Sequence, residues 1–306
     1  FNFKKYIMLK QLNDITKLIE GKPKRRMAVA AAHDENAFEA VINAYNKGII
    51  EPILIGDVEK MKKLGENNKL ELSKFEVINE VDLVKCAELA VKYVRDKKAD
   101  VLMKGYVDTG TLLKAVLNKE WGLRSGDILS HIALFELPTY HKVVSVADAA
   151  MNVAPDLETK IAIIKNSVNY LNKLGIEKPK VALLAAVETV KEGMPVTLEY
   201  SAITMMNRRK QIKNCIIDGP LALDNAVSKE SADHKGIISE VAGDADLLVA
   251  PNIEAANILY KTLIFLASAK CAAVIVGATA PIVLTSRSDS EETKLNSILL
   301  AAAGGF

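Results

Sequence analysis

The sequence lacks the cysteine and histidine patterns that mark several classes of protein. Its three cysteines, Cys86, Cys215 and Cys271, lie far apart and without metal-ligand spacing, which argues against a disulfide framework or a zinc ribbon. Its four histidines form no HExxH motif, so a zinc hydrolase is not indicated. We therefore expect buried structural thiols, a cytoplasmic location and no bound metal.

Signals for membranes and for nucleic acids are also missing. No apolar run reaches the roughly 18 residues of a membrane span, and the N-terminus FNFKKYIMLK lacks the cleavage site of a signal peptide. Residues 1–7 are set aside as an extension, because Met8 begins the first plausible helix. The 40 basic and 38 acidic residues leave a net charge of +2, too weak a field to attract nucleic acid or an anionic membrane. We expect small-molecule partners and a local anion site.

What the chain does contain is a regular alternation of apolar runs and amphipathic stretches. The run RRMAVAAAH is followed by a helical pattern with Asp34 as its cap and Gly48 as its stop. The run EPILIGD, the amphipathic stretch EVDLVKCAELAVKYVRDKK and the run ADVLMKG come next, and KVALLAAVE, KNCIIDGP, ADLLVAPN and AAVIVGA follow later. Short, uniformly apolar strands separated by helices predict an α/β fold with mostly parallel sheets. A length of 306 residues suggests two domains.

Polar residues follow several of these strands. Ligands of parallel sheets bind beyond the carboxyl ends of the strands. The strand ends are Lys104-Gly105, Glu188, Asp218-Gly219-Pro220, Pro251-Asn252 and Thr285-Ser286-Arg287. Each one alone also fits an ordinary turn. Lys104 and Arg287 stand out, because a turn does not need either residue.

The first candidate stretch is MKGYVDTGTLLKAVL. Lys104 and Gly105 leave a strand, and Asp108 or Thr109 then caps a helix that contains Lys114. Free N–H groups and the helix dipole make such a helix start suitable for a phosphate or carboxylate. The chain has no GxxxxGK[ST] loop, and an ordinary N-cap is the alternative.

The second candidate stretch is TSRSDSEE. Arg287 offers a planar fork that matches phosphate, and Ser286 adds a hydroxyl. Asp289 or Ser290 caps the final helix, and a carboxylate next to an anion-binding arginine is a candidate general base. The alternative is a plain helix cap followed by an acidic first turn.

A third stretch, WGLRSGDILSH, contains Arg124, Ser130 and His131. Arg124 lies in a glycine-flanked loop, where it is free to reach a ligand, whereas His131 opens an apolar strand and suits a core edge. No GxGxxG or GxSxG motif is present, so neither a Rossmann dinucleotide site nor an α/β-hydrolase is indicated.

Taken in order, seven stretches resemble the phosphate acetyl/butyryltransferase family, most closely its butyryl branch. They are VLMKGYVDTGTLLKAVL, GLRSGDILSH, SVADAAMNVAPDL, MPVTLEYSAI, IIDGPLALDNAVS, VAPNIEAANILYK and APIVLTSRSDSEE, and the resemblance runs from about Met8 to the C-terminus. It implies an isocitrate/isopropylmalate dehydrogenase-like fold with an active site in the interdomain cleft. Residues 1–127 plus 276–306 would form the first domain and 128–275 the second, and the protein would be a homodimer or a higher homo-oligomer.

The resemblance also implies a reaction, in which a short acyl-CoA and phosphate give an acyl phosphate and CoA without an acyl-enzyme. The CoA thioester would be a substrate of butanoate metabolism, with no bound cofactor and no metal. We assign catalysis to Ser286, Arg287 and Asp289. Six further residues are assigned to phosphate or CoA binding: Lys104, Gly105, Thr109, Lys114, Arg124 and Thr285. The weaker candidates are Glu292, Ser130, His131, Asn252 and Glu254.

The chain departs from the acetyl-specific members at three positions. Their catalytic aspartate falls near Thr293 here, so the base is Asp289, Glu292 or neither. Lys114 replaces an arginine, and Ala149 replaces a cysteine, which leaves room for a longer acyl chain.

Three alternatives stay open. One is phosphate acetyltransferase activity, and another is an inactive module that binds CoA or anions. The third is a metal- and NAD(P)-dependent dehydrogenase of the same fold, for which Asp218 and Asp224 would have to bind a divalent metal.

Overall fold

Apolar strands and amphipathic helices alternate along the chain and pack into two α/β units. The computed structural model describes residues 9–67, 70–125, 128–286 and 289–305. One unit, here called the flanking unit, comprises Ile15–Asp127 and the chain from Ala272 onward. The other, the central unit, comprises Ile128–Cys271 and the N-terminal stretch up to Asp14.

The N-terminal stretch belongs to the central unit, and its backbone forms two hydrogen bonds with that unit. Leu12 N donates to Glu136 Oε2 at 2.8 Å, and Val143 N donates to the carbonyl oxygen of Leu9 at 2.8 Å. The boundaries expected from the sequence had grouped this stretch with the flanking unit.

The strands are short and almost wholly apolar. In chain order they are β1 (Arg25–Ala30), β2 (Ile50–Gly56), β3 (Glu76–Asn79), β4 (Val101–Lys104), β5 (Ser130–Glu136), β6 (Val144–Ala147), β7 (Lys180–Leu184), β8 (Ile216–Leu221), β9 (Leu247–Val249), β10 (Lys270–Val276) and β11 (Ile282–Val283). Met27 to Ala30 of β1 are completely buried, as a parallel sheet covered on both faces requires.

The helices mostly begin at a polar residue whose side chain accepts a hydrogen bond from the first turn. In chain order they are α1 (Thr16–Ile19), α2 (Glu35–Asn46), α3 (Val58–Asn67), α4 (Leu83–Arg95), α5 (Thr109–Val116), α6 (Leu157–Lys173), α7 (Pro195–Arg208), α8 (Leu223–Val227), α9 (Lys229–His234), α10 (Ile253–Phe265) and α11 (Glu291–Gly304). Short 3-10 turns occupy Leu12–Ile15 and Leu72–Lys74. The predicted cap Asp34 is confirmed, because its side chain accepts a hydrogen bond from Ala37 N.

The sheet of the flanking unit has the strand order β3-β2-β1-β4-β11-β10. Its neighbouring strands run parallel, except that β10 is antiparallel to β11. The carboxyl ends of β1, β4 and β11 therefore lie side by side at one edge of this sheet.

The sheet of the central unit has the order β5-β6-β9-β7-β8. β5 is antiparallel to β6, and the other neighbours are parallel. The expectation of mostly parallel sheets is confirmed in both units.

Charged side chains cluster at the amino-terminal edge of the central sheet. Asp244 Oδ1 lies 2.9 Å from Lys142 Nζ and 2.7 Å from His141 Nε2, and Asp244 Oδ2 lies 2.6 Å from Lys180 Nζ. Burial alone would raise the pKa of the Asp244 carboxyl, but the hydrogen bonds from Lys180, Lys142 and His141 outweigh it and hold that pKa well below the ordinary value. This cluster joins the starts of β6, β7 and β9.

The three cysteines agree with the expectation from composition. Cys86, Cys215 and Cys271 are buried free thiols, and burial raises the pKa of Cys86 and of Cys215 to about 11. Among the described residues, no helix has both the length and the apolar character that crossing a membrane requires.

Candidate functional site

Two of the predicted stretches meet at the carboxyl edge of the flanking sheet. β4 pairs in parallel with β11, with Met103 opposite Val283, so Lys104 is level with the residue that precedes Thr285. On its other side, Lys104 pairs with Ala30 of β1. Adjacent strands lie about 4.8 Å apart, so the backbones of the two stretches are neighbours.

Lys104 and Gly105 form a tight exit from β4. Lys104 is buried, and its Nζ lies 3.3 Å from the Gly105 carbonyl oxygen and 3.4 Å from that of Val107. Gly105 N donates to the Ala30 carbonyl oxygen at 2.9 Å. A Cβ on Gly105 would come within 2.3 Å of the Ala31 carbonyl oxygen. Only glycine therefore fits at this exit from β4 without displacing the backbone.

Helix α5, which follows this exit, has Asp108 and not Thr109 as its N-cap. Asp108 accepts hydrogen bonds from Thr111 N at 2.9 Å and from Thr111 Oγ1 at 2.6 Å, and these bonds lower the pKa of its carboxyl. Thr109 is exposed in the first turn of α5, and Lys114 is exposed in the last turn. Lys114 therefore lies at the opposite end of this helix from the N–H groups that attract anions.

The stretch after β11 is held by bonds between Ser286 and Asp289. Ser286 N donates to Asp289 Oδ2 at 2.7 Å, and Asp289 N donates to the Ser286 carbonyl oxygen at 3.2 Å. Thr285 is buried and Ser286 is exposed. The predicted residue Arg287 lies outside the described residues.

The N-cap of helix α11 is Ser290 and not Asp289, the other residue that the sequence allowed. Thr293 N donates to Ser290 Oγ at 3.1 Å. Glu292 is exposed in the first turn. Lys294 is buried beneath this turn, and its Nζ donates to the Asp289 carbonyl oxygen.

Lys294 was missed by the sequence analysis, although a signal for it exists. It lies four residues before the buried Ile298 of α11, and residues four apart share one helix face. A lysine on the apolar face of a helix is a departure from the pattern that amphipathic helices follow.

The backbone of Arg124 lies at the amino-terminal end of β11. It forms an antiparallel bridge with Ala278, and Thr279 N donates to the Leu123 carbonyl oxygen at 2.9 Å. Ser125 Oγ donates to the Gly277 carbonyl oxygen at 2.5 Å. These partners belong to the connection that precedes β11, whereas Ser286 follows β11.

The weaker candidates of the central unit have structural contacts. Ser130 Oγ accepts a hydrogen bond from Asn166 Nδ2 at 3.1 Å. The His131 ring packs edge to face on Tyr260, with a centroid distance of 5.8 Å. Asn252 caps α10, and Glu254 is exposed in the first turn of the same helix.

Asp148 and Asn152, which were not among the predicted site residues, fix the loop around Ala149. Asp148 is buried directly after β6, and its Oδ1 accepts hydrogen bonds from the N–H groups of Ala150 and Met151, both at 3.0 Å. Asn152 Nδ2 donates to Asp148 Oδ2 at 2.5 Å and to the Leu129 carbonyl oxygen at 2.9 Å. The sequence signal was a lone aspartate directly after an apolar strand.

Comparisons with solved structures agree with the fold. The chain is similar to a branched-chain phosphotransacylase from Enterococcus faecalis V583, with a TM-score of 0.81 at 34% identity over 92% of this chain and 99% of that chain. A 4-hydroxythreonine-4-phosphate dehydrogenase from Burkholderia phymatum matches with a TM-score of 0.54 at 14% identity, over 92% of this chain and 99% of that one. At 14% identity, the match to the dehydrogenase shows the fold alone. Together the two matches confirm the predicted dehydrogenase-like fold class.

Comparisons of sequence give relatives with higher identity than these two solved structures. The chain is 46% identical over 295 residues to the phosphate butyryltransferase of Clostridium acetobutylicum, covering 96% of this chain and 98% of that protein. It is 44% identical over 291 residues to the phosphate acetyltransferase of Thermotoga maritima, covering 95% and 98%. The family model described as phosphate acetyl/butaryl transferase matches residues 10–95 and 80–302. The chain belongs to the phosphate acetyl/butaryl transferase family.

Proposed function

We propose that this protein is a phosphate acyltransferase that converts butyryl-CoA and phosphate into butyryl phosphate and CoA, and the reverse. The observation that carries the proposal is the parallel pairing of β4 with β11, which makes the Lys104 exit a neighbour of Thr285 and Ser286. Relatives named phosphate butyryltransferase and phosphate acetyltransferase, at 46% and 44% identity, support the same activity.

The proposed chemistry is a direct displacement. A phosphate oxygen attacks the thioester carbonyl carbon, the C–S bond breaks, and CoA leaves as the thiolate and then takes up a proton. In the reverse direction the CoA thiol loses its proton to a base, and its sulfur attacks the carbonyl carbon of the acyl phosphate. The C–O bond to the phosphate then breaks, and phosphate leaves. Orientation of the two substrates and stabilisation of the charge on the carbonyl oxygen supply the rate.

The residues after β11 are assigned to this chemistry. Ser286 and Arg287 bind the phosphate, and Arg287 also stabilises the developing negative charge. Asp289 acts as the base. Its Oδ2 is bound to Ser286 N, while its Oδ1 accepts no hydrogen bond from the described residues.

A wider set of residues is assigned to binding of phosphate or CoA. It comprises Lys104, Gly105, Thr109, Lys114, Arg124 and Thr285. Glu292, Ser130, His131, Asn252 and Glu254 stay weaker candidates. Lys104 is the strongest of the binding residues, because it is buried at the edge where β4 and β11 end.

The acyl preference is the finer part of the proposal. Ala149 is small and buried, with only 2% of its surface exposed, and we propose that this position accommodates a butyryl or a branched four- or five-carbon chain. Phosphate acetyltransferase activity is the second candidate, and the relative from Thermotoga maritima supports it.

We also propose where and in what form the reaction takes place. The CoA thioester is a substrate and not a bound cofactor, and the enzyme works in the cytoplasm as a homodimer or a higher homo-oligomer. Buried free thiols at Cys86, Cys215 and Cys271 suit such a reducing compartment.

Release of the CoA thiol, followed with a thiol reagent, tests the activity. Purified protein receives butyryl-CoA with and without phosphate, and acetyl-CoA in parallel. We expect phosphate-dependent release that is faster with butyryl-CoA. Faster release from acetyl-CoA supports the acetyl candidate, and no phosphate-dependent release from any short acyl-CoA contradicts both.

A further inference from the structure

Lys294 is an unusual residue in its position, because it is a lysine buried in the first turns of α11. Only 3% of its surface is exposed, and its Nζ donates to the carbonyl oxygen of Asp289. In the part of the chain that the structure describes, no carboxylate forms a salt bridge with it. Lysine is rarely buried to this extent unless an opposite charge compensates it.

Two physical effects make this position unfavourable in the absence of a ligand. Burial removes the hydration of the ammonium group, and one neutral carbonyl oxygen replaces little of it. The start of a helix also carries the positive end of the dipole, which favours acidic residues such as Glu291 and Glu292 and disfavours a cation. Local rules that are broken together in this way point to a functional role, and here to a compensating anion.

A continuous set of hydrogen bonds connects Lys294 with Ser286. The ammonium group binds the carbonyl oxygen of Asp289, and the carboxylate of Asp289 binds Ser286 N at 2.7 Å. The backbone N of Lys294 donates to the Ser290 carbonyl oxygen at 3.1 Å, which fixes the base of the lysine in the helix. Lys294 is therefore linked to Ser286 through Asp289.

We propose that Lys294 is a positioning residue for phosphate. Its ammonium group holds the Asp289 carbonyl, and its charge is compensated by the phosphate that binds at Ser286. The inference rests on the proposed function, since it takes phosphate as the anion. Because Lys294 is buried, it acts through Asp289 and through its electric field and does not touch the phosphate.

A role that is only structural makes a different prediction. A lysine that merely stabilises α11 would lower the melting temperature when it is removed, equally with and without phosphate. A buried charge that only bound phosphate compensates destabilises the phosphate-free protein, so its removal leaves the melting temperature unchanged or raises it. The substitution then weakens only phosphate binding and the stabilisation by phosphate.

The test compares Lys294→Met, which keeps the chain length without the charge, with Lys294→Arg, which keeps a charge. Lys160→Met is the matched control, since Lys160 is also buried but forms a 2.6 Å salt bridge with Glu199. Each variant is measured for its KM for phosphate, its KM for butyryl-CoA, and its melting temperature with and without inorganic phosphate and CoA.

For Lys294→Met we expect the KM for phosphate to rise about tenfold or more, because the buried ammonium no longer attracts the anion through the protein interior. The KM for butyryl-CoA stays near the wild-type value, and phosphate no longer raises the melting temperature while CoA still does. Lys294→Arg recovers part of the phosphate response. Lys160→Met loses stability but keeps the wild-type KM for phosphate.

An unchanged KM for phosphate in Lys294→Met, or an equal loss of melting temperature with and without phosphate, overturns the inference. The two proposals are judged separately. A wild-type protein that is stabilised by phosphate but releases no CoA contradicts the proposed function, and the thermal measurements then decide the role of Lys294. A wild-type protein that phosphate does not stabilise, and that shows no phosphate-dependent release, overturns both.

Discussion

Ser286 and Asp289 are joined by two hydrogen bonds, from Ser286 N to Asp289 Oδ2 at 2.7 Å and from Asp289 N to the Ser286 carbonyl oxygen at 3.2 Å. The carboxylate that we assign as the base is thus also a clamp on the backbone of the proposed phosphate-binding residue. Oδ2 forms the clamp, so Oδ1 is the oxygen that we propose as the base, and substitution can separate the two roles.

Asp289→Asn keeps an acceptor oxygen for Ser286 N and removes the basic carboxylate. We expect kcat to fall by about a hundredfold to ten-thousandfold, the usual contribution of a general base, with little change in the KM for phosphate. Asp289→Ala removes the clamp as well, and its KM for phosphate should rise in addition. Steady-state thiol release over a range of phosphate concentrations measures both constants.

Glu292→Gln is the comparison for this pair, because Glu292 is exposed in the first turn of α11. It should keep the wild-type kcat. Activity in Asp289→Asn together with its loss in Glu292→Gln would transfer the role of base to Glu292.

Gly105→Ala tests whether the exit from β4 needs a glycine. The new Cβ would lie 2.3 Å from the carbonyl oxygen of Ala31 and 2.7 Å from that of Ala30. Backbone must move to relieve these contacts, so we expect a loss of about 1–3 kcal/mol or more in stability and a lower melting temperature. Because Lys104 precedes this residue, activity should fall too.

Gly193→Ala is the matched control for that substitution. A Cβ at Gly193 has no heavy atom within 4 Å, so its stability should stay within about 0.5 kcal/mol of the wild type. Equal melting temperatures for the two variants would show that the close approach at Gly105 is readily relieved.

The local pattern of the chain was enough to predict the elements around these residues. The cap at Asp34 and the left-handed Gly48, with a φ of 73°, bound α2 as their chemistry requires. The two-residue strand β11 carries almost no periodicity of its own. Its position beside β4 depends on pairing between distant parts of the chain, which the sequence pattern does not encode.

Side-chain partners were harder to predict than elements. The sequence left Asp108 and Thr109 as equal candidates for the cap of α5, because both residue types accept the same hydrogen bond. It also gave no weight to Lys294, because the acidic and polar residues before it favour an exposed position, and its spacing of four from Ile298 is only a weak signal of burial. Burial of that lysine depends on how α11 packs, and this is a tertiary property.

Arg287→Ala tests the residue that we assign to phosphate binding and charge stabilisation. Removal of a donor that stabilises developing charge typically costs about a hundredfold or more in kcat, and we expect that loss here. Arg287→Lys keeps the charge but not the planar fork, so it should recover only part of the activity. Steady-state thiol release with saturating butyryl-CoA measures the change.

Arg209→Ala serves as the control for loss of an arginine, since Arg209 is exposed at the end of α7. Its kinetic constants should match those of the wild type. Wild-type turnover by Arg287→Ala would remove that residue from the mechanism.

The charge cluster at Asp244 predicts how stability depends on pH. The pKa of Asp244 is lower in the folded protein than its ordinary value of 3.8, so its contribution is complete above that value and is lost as the pH falls through the folded pKa. Asp244→Asn should lower the stability at pH 7 by about 1–3 kcal/mol, at the lower end because the carboxylate is partly exposed and screened. The deficit should shrink below about pH 4, where the wild type begins to lose the same contribution.

Melting temperatures of the wild type and Asp244→Asn between pH 7 and pH 3 measure this difference. Asp233→Asn is the control, because Asp233 pairs with Lys229 on an exposed surface where such pairs contribute about 0–1 kcal/mol. Its difference from the wild type should be small at every pH. A deficit of Asp244→Asn that stays constant down to pH 3 would mean that the carboxylate contributes through its shape and neutral hydrogen bonds, and would contradict a stabilising charge at the edge of the central sheet.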